Sequence, residues 1–592
     1  MNVIHRFSLL ALVACAAAPA YGQSFRVQCP ASTNLHPRLC SGAGGGACQT
    51  AADCAAGSTC DPDPAYPGKI KCQEVAGGDG YVTMGDGTQI YLFGFGPLSG
   101  LADLQAGLPG TQVTDVFNVD YSGPNYSAAA NTGVCNGGAN TGKESCQALT
   151  DCPDQVGTDS SPASCDFSPN ANLGLCLGGS NPVMPNKQVC TTVSDCPDSS
   201  STGVSCTHLP SWALNASNGA VKEPAGIIDM GVLAANAPAP LMAIDEDDEF
   251  FLTLSNAGMV MRPDLFEQHT IHFHGYPNAS SFFDGVPDAS IAINIAGSFT
   301  YYYTAPDAGS YFWHCHIAPP EHLQMGMVGQ LYVRPRQNRV APGDDLRTAL
   351  VRANLNAARP VFTSGVRLNP DGFDGSSGCS DILCTGQTPA PANGATGTRA
   401  ASPTARYAYN DGDGSTLYHS EYPIQLMGFD PNFHYVGMTF NPEEFAGMKD
   451  KYFLLSGRGY PDTVNTSAIT TLASDGVSRP SQPIASLITI NRGERALLRI
   501  SDLSVTEHTT IGTVGIPMTV IAQNARLLRD TVGNNLYYKT NSITLGGGES
   551  ADVILDSAGV QPGTYFLYST NLDHLSNDAE NFGGMMTEIV VQ

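Results

Sequence analysis

From Met242 onward, hydrophobic and polar positions alternate along the chain with a period of two. The runs FFLTLSN (250–256), SFTYYYTA (298–305) and GQLYVRP (329–335) each set apolar side chains on one face, and Gly, Pro and Asn turns separate them. Upstream, YVTMGDGTQIYLFGFG (81–96) predicts two strands joined by an Asp-Gly turn. A Gly-, Pro- and Ser-rich stretch from Asn369 to Thr404 interrupts the pattern. It returns in YPIQLMGFD, ASLITINRGERALLRIS, PMTVIAQNARLL, ADVILDS and GTYFLYS. Long amphipathic patterns are absent. The expected fold class is therefore all-β, with two Greek-key β-sandwich domains in series.

Cysteine spacing adds a second kind of unit. Cys40, Cys48, Cys54 and Cys60, then Cys135, Cys146, Cys152 and Cys165, then Cys176, Cys190, Cys196 and Cys206 repeat one pattern, each with a Cys-x5-Cys step ending in Asp-Cys. The spacing fits no zinc or iron–sulfur pattern, so small modules held by disulfides are expected. The chain then divides into a signal peptide (1–22), a Cys-rich module (23–76), the first part of sandwich one (77–133) and two inserted modules (134–208). The rest of sandwich one (209–340), a linker (341–404) carrying Cys379 and Cys384 as a local pair, and sandwich two (405–592) complete it.

A formal net charge of −26 and a pI near 4.7 exclude nucleic acid as a partner, because phosphates require a basic surface. The first residues have Arg6, an apolar run from Phe7 to Ala18 and small residues at Ala20 and Gly22. They predict export to the outside, the periplasm or the cell surface, with cleavage after Gly22. Leu12-Val13-Ala14-Cys15 also resembles a lipoprotein processing site, which would leave a lipid anchor. Of 18 cysteines, loss of Cys15 with the leader leaves an odd number. Cys315, between two histidines, is the one expected to stay outside the disulfides.

Two segments concentrate the chemistry. HTIHFHG holds His269, His272 and His274; WHCHIAPPEHLQMGM holds His314, Cys315, His316, His322 and Met327. On a strand, His272 and His274 share one face, as do His314 and His316, whereas Cys315 points the other way. If the two strands are neighbours, four imidazoles converge on one side. On the other, His269 and the turn bearing His322 and Met327 can surround the thiolate. One thiolate, two imidazoles and a weak thioether make the trigonal set of a blue copper centre. Cys315 alone would read as a buried filler and Met327 as core; the joint pattern carries the metal assignment.

These residues resemble the multicopper oxidases and their two-domain, cupredoxin-type relatives. The resemblance implies His269, Cys315, His322 and Met327 as type 1 copper ligands, and His272, His274, His314 and His316 as ligands of type 2 and type 3 copper. The stretch FFDGVPDASIAINIAGSFTYYYTAPDAGSYFWHCH is similar to the family's frame, and implies Asp284 as a catalytic acid that delivers protons. INRGERALLRIS and GGGESADVILD resemble a family sandwich without its own type 1 site. Two departures stand out. The step from Cys315 to His322 is two residues longer than usual in the family, and the family's full inner cluster takes eight histidines from two domains, of which this chain supplies four in motif.

The other histidines beyond the leader, His36, His208, His419, His434, His508 and His574, occur singly. NLDHLSNDAENFGGMM is similar to the C-terminal segment of trimeric copper nitrite reductases. The similarity implies that His574 and His508 reach copper, His574 that of a neighbouring subunit in a homotrimer. Three readings stay open. One is an oxidase moving electrons from a small reductant or metal ion to dioxygen, the second a nitrite-reductase-like trimer, and the third a non-enzymatic blue-copper carrier serving a redox protein partner.

Overall fold

The computed structural model describes residues 27–592 except 42–44, 64–67, 120–217, 223, 277–279, 348, 350–399, 440–443 and 532; within 120–217 only the backbone of short strands is described. The leader with Cys15, His208, and the pair Cys379 and Cys384 lie outside the described residues.

Sandwich one is built as the alternation demands. One sheet has the order Ser298–Thr304, Glu249–Gly258, Ile70–Thr83, Gln89–Pro97. The other has the order Met242–Asp245, Val328–Arg334, Gly309–His314, His272–Phe273. Glu249–Gly258 lies parallel to Ile70–Thr83 despite their distance in sequence, so the chain crosses between sheets in the Greek-key manner. Sandwich two pairs a seven-stranded sheet around Ser420–Phe429, Arg495–Asp502 and Ser550–Asp556 with a five-stranded one around Gly563–Ser569 and Met586–Val591. The architecture is all-β, two cupredoxin-like sandwiches with a disulfide-bonded N-terminal module.

That module is a three-stranded sheet held by Cys40–Cys54 and Cys48–Cys60. Cys29–Cys72 ties the preceding segment to the sandwich. The first sandwich strand therefore begins at Ile70, ahead of the boundary expected at 77, because Cys72 belongs at once to the disulfide and to the sheet. Within 133–207 the described short strands form two more three-stranded sheets.

The two sandwiches meet face to face over a polar network. Even-numbered residues of Val328–Arg334 point at sandwich two: Gln330 donates to Arg499 O (2.9 Å), Tyr332 lies under the Arg499 guanidinium (4.8 Å), and Arg334 pairs with Glu421 (2.6 Å). Glu421 also takes Arg499 (3.0 Å), and Ser310 donates to Asp552 (2.6 Å). Burial would raise the Glu421 carboxyl, but Arg499 and Arg334 outweigh it and hold it at about 2. A second contact comes from His434, whose ring lies between Tyr91 O (2.5 Å) and Gln324 O (2.9 Å) of sandwich one.

Glu421→Ala would remove the carboxylate that Arg334 and Arg499 share, leaving Arg499 only the more distant Asp552 (3.7 Å), at an expected cost of about 3–5 kcal/mol. Urea unfolding should show a lower midpoint at unchanged slope; an unchanged midpoint would mean the arginines regain solvent. The sign of the pH effect follows from the depressed value. The carboxylate's contribution is complete above the ordinary 4.5 and is lost as pH falls toward 2. Wild type should therefore lose more stability over that window than Glu421→Gln.

Candidate metal centre

Every residue of the strand Gly309–His314 is buried. A strand with only one covered face would alternate buried with exposed; this one has a hydrophobic wall on each side. Tyr311, Trp313 and Cys315 enter the core of sandwich one with Phe95, Phe273 and Met327. Phe312 enters the interdomain cluster with Val328, Phe429, Leu454 and Leu503. His272–Phe273 pairs antiparallel with this strand, His272 opposite His314, and His274 N–H donates to Phe312 O (2.9 Å). Thiol and imidazoles thus fall on opposite faces of one pair of strands.

On the core face, Cys315 Sγ lies 3.2 Å from His322 Nδ1 and 4.0 Å from His269 Nδ1, and accepts a hydrogen bond from Thr270 N–H (3.5 Å). The three candidate ligand atoms lie within 4.8 Å of one another and all three residues are fully enclosed. A short helix, Pro319–Gln324, brings His322 back over the thiol. Its first turn is set by two prolines following left-handed Ala318. The loop closes as Met327 N–H donates to His322 O (2.8 Å) and Cys315 N–H to Met327 O (3.1 Å), with Met327 buried in the same core. Gly77 makes room beneath: a Cβ there would stand 2.6 Å from His269 Cδ2. Burial would push the Cys315 thiol up, but His322 and His269 hold it well below its usual range. Against its own burial, His322 is driven up to about 10. One thiol and two imidazoles enclosed in a dry pocket form a donor set that a soft, copper-type cation fits.

The opposite face carries the second group, His272, His274 and His314, with ligand atoms again within 4.8 Å. Backbone carbonyls engage two of the Nδ1 atoms: His272 with Asp284 O (2.7 Å) and His314 with Cys315 O (2.6 Å). His274 turns its Nδ1 to Gly548 of sandwich two, whose backbone takes its hydrogen bond. Protons held on Nδ1 leave Nε2 lone pairs pointing inward, and the Nε2 atoms of His274 and His314 stand 2.9 Å apart. Burial, reinforced by neighbouring imidazoles, lowers His314 to about 3 and His274 to about 4. Converging neutral lone pairs without a proton between them are a cation site in waiting. His316 extends the group, its ring 5.1 Å from that of His272 and stacked 5.6 Å from that of His314.

The remaining expected residues divide. The Asp284 carboxylate lies 3.5 Å from His272 Nδ1. His508, expected to reach copper, lines a cavity of about 370 Å³ together with His274, Phe312, Thr506 and Glu507, all within this one chain. His574 does not join either group. Its ring stacks on Phe453 (3.9 Å), its nitrogens lie 3.0 Å from Ser569 Oγ and Asn571 Nδ2, and it is 2% exposed. Within this chain the ring is packed into its own domain, away from both donor groups. Sequence reasoning missed Glu267, 3.7 Å from His322 Nε2, and Gly548. The GGG run was the one signal for the latter.

Residues 223–338 and 447–590 match family models described as multicopper oxidase. These matched segments lie in the two sandwiches and are similar to multicopper oxidase domains, a family that holds copper at type 1 and type 2/3 sites. Among curated proteins the chain is 29% identical over 134 residues to laccase abr2 of Aspergillus fumigatus, covering 22% of this chain and 20% of that one. It is 31% identical over 137 residues to multicopper oxidase MCE of Talaromyces pinophilus, covering 22% and 21%. The chain thus spans about a fifth of the length of these relatives. A blue copper oxidase from Nitrosomonas europaea aligns over 60% of this chain and 77% of its own at 19% identity, with a TM-score of 0.37.

Gly548 has φ +90°, and a Cβ there would sit 2.6 Å from His274 Nδ1. Gly548→Ala should push His274 out of register. Metal analysis should then find the type 1 spectrum intact and the additional copper reduced; full copper content would show that His274 does not depend on sandwich two.

Proposed function

We propose that this chain is an exported copper oxidase that takes single electrons from a small reductant or metal ion and passes them to dioxygen. His269, Cys315 and His322, with Met327 as the weak axial donor, hold type 1 copper. His272, His274, His314 and His316 hold inner copper of type 2 and type 3, with His508 the candidate supplement from sandwich two. Copper bound at these sites supplies one-electron redox chemistry. One observation carries the reading: Cys315 is joined covalently to His314 and His316 where a strand buried on both faces ends, so the two donor sets share a single stretch of backbone.

The chain's own groups have separable tasks. Carbonyls of Asp284 and Cys315, with the backbone of Gly548, orient three imidazoles so that their Nε2 atoms converge. The Asp284 carboxylate, partly open to solvent and close to His272, can hold a proton and hand it inward, as reduction of dioxygen to water requires. The core around Cys315 keeps water away from the thiolate.

A second reading, a blue-copper carrier that hands electrons to a redox protein, is favoured by one observation: the histidines in motif are half of the family's full inner set. Copper content per chain together with electron paramagnetic resonance separates the two. Type 1 signal plus further copper, with dioxygen uptake on a phenolic or ferrous donor, is the expected result. Type 1 copper alone and no uptake would overturn the oxidase and leave the carrier.

Cys315→Ser should abolish the blue band while circular dichroism stays that of a folded β protein; surviving colour would sink the ligand assignment. Met327→Leu should keep the colour and raise the reduction potential, because it removes only a weak axial donor. Loss of copper in that variant would make Met327 a principal ligand instead.

A further inference from the structure

His269, Cys315 and His322 are all 0% exposed, so no edge of the proposed type 1 ligand set meets solvent. A donor at the surface must therefore act through intervening groups. One continuous series of aromatic rings runs outward from a ligand. The Phe93 ring lies 6.1 Å from that of His322, Tyr91 5.7 Å from Phe93, and Tyr81 5.6 Å from Tyr91. The hairpin builds this series directly. Tyr91 and Phe93 are two apart on Gln89–Pro97 and share a face, and Tyr81 is the cross-strand partner of Tyr91 on Ile70–Thr83. Phe93 is fully buried and Tyr91 nearly so, whereas Tyr81 is only half-buried, its hydroxyl 4.0 Å from Met438 Sδ.

Core aromatics commonly touch, and contact alone would imply nothing further. The second observation concerns the middle ring. The Tyr91 hydroxyl donates to Asp79 Oδ2 (3.2 Å), a fully buried carboxylate that also accepts from Met261 N–H (2.8 Å). A phenol gives up an electron readily only when its proton has somewhere to go, and Asp79 is that acceptor. Burial raises the Asp79 carboxyl above the ordinary range, which makes it a better base toward a phenol than an exposed carboxylate.

We propose that Tyr81, Tyr91 and Phe93 form an electron relay from a donor site at the protein surface to His322, with Asp79 as the proton acceptor of Tyr91. The inference rests on the reading of His269, Cys315 and His322 as a type 1 copper site. With oxidised copper held by His269, Cys315 and His322 as the electron acceptor, Tyr91 would give one electron by way of Phe93 and His322 and its phenolic proton to Asp79. The resulting phenoxyl is refilled by one electron from a small reductant docked at Tyr81, and Asp79 returns the proton. In sum one donor molecule loses an electron, one copper gains it, and no proton is consumed.

The test uses the full copper-loaded chain with its type 1 site reduced by ascorbate, and a photogenerated ruthenium tris-bipyridine oxidant in solution. Transient absorption follows the phenoxyl signal and the growth of the blue band. In wild type a phenoxyl phase should decay at the rate at which blue colour grows. Tyr91→Phe and Tyr81→Phe should each show the normal blue spectrum once oxidised, yet slow that growth by about tenfold or more. Asp79→Asn keeps both phenols and should slow growth as well, with loss of the solvent deuterium effect. Blue growth at the wild-type rate in Tyr81→Phe and Asp79→Asn would overturn the relay, whether or not Tyr91→Phe folds. A wild-type protein that never turns blue would overturn the copper assignment itself.

Discussion

The strand Gly309–His314 is covered on both faces, and the rest of the site depends on that constraint. Because side chains alternate, the same few residues serve two different environments. Cys315 lies in the dry core of the first sandwich, while His314 and His316 face the seam between the sandwiches. A thiolate needs exclusion of water and a cluster of lone pairs needs a rigid polar wall. One covalent stretch supplies both, which is why the two donor sets lie so close.

The second sandwich, which lacks a type 1 motif of its own, acts as that wall. Gly548 takes the hydrogen bond of His274, and Gln324, two residues from His322, donates to the buried Asp450 (2.7 Å) while its carbonyl faces His434. The network of Glu421 with Arg334 and Arg499 sets how the sandwiches meet. Buried ions of this kind add little net stability over an apolar seam, yet they penalise any other registration of the two surfaces, because an offset would leave charges unpaired.

Histidines outside the motifs show where pattern reading stops. His508 and His574 are equally isolated in sequence, and the resemblance to trimeric nitrite reductases treats them alike. Folding separates them. His508 comes from a loop that opens on the cavity beside His274, whereas His574 is stacked on Phe453 and hydrogen-bonded within its own domain. Nothing within a few residues of either distinguishes a cavity wall from a packed ring. Glu267 is a similar case, since its approach to His322 depends on a helix more than fifty residues away.

The sequence by itself determined the class of fold, the faces on which Cys315, His272, His274, His314 and His316 project, and the copper chemistry their types imply. Strand periodicity and ligand softness are local properties, readable wherever the residues stand. Only the tertiary structure decided which groups of the second sandwich lie beside the imidazoles, that the His574 ring stacks on Phe453 instead, and that Tyr81, Tyr91 and Phe93 line up on His322. Those relations join residues tens to hundreds of positions apart. Their distances are set by how two sheets twist and two domains dock, which no local pattern encodes.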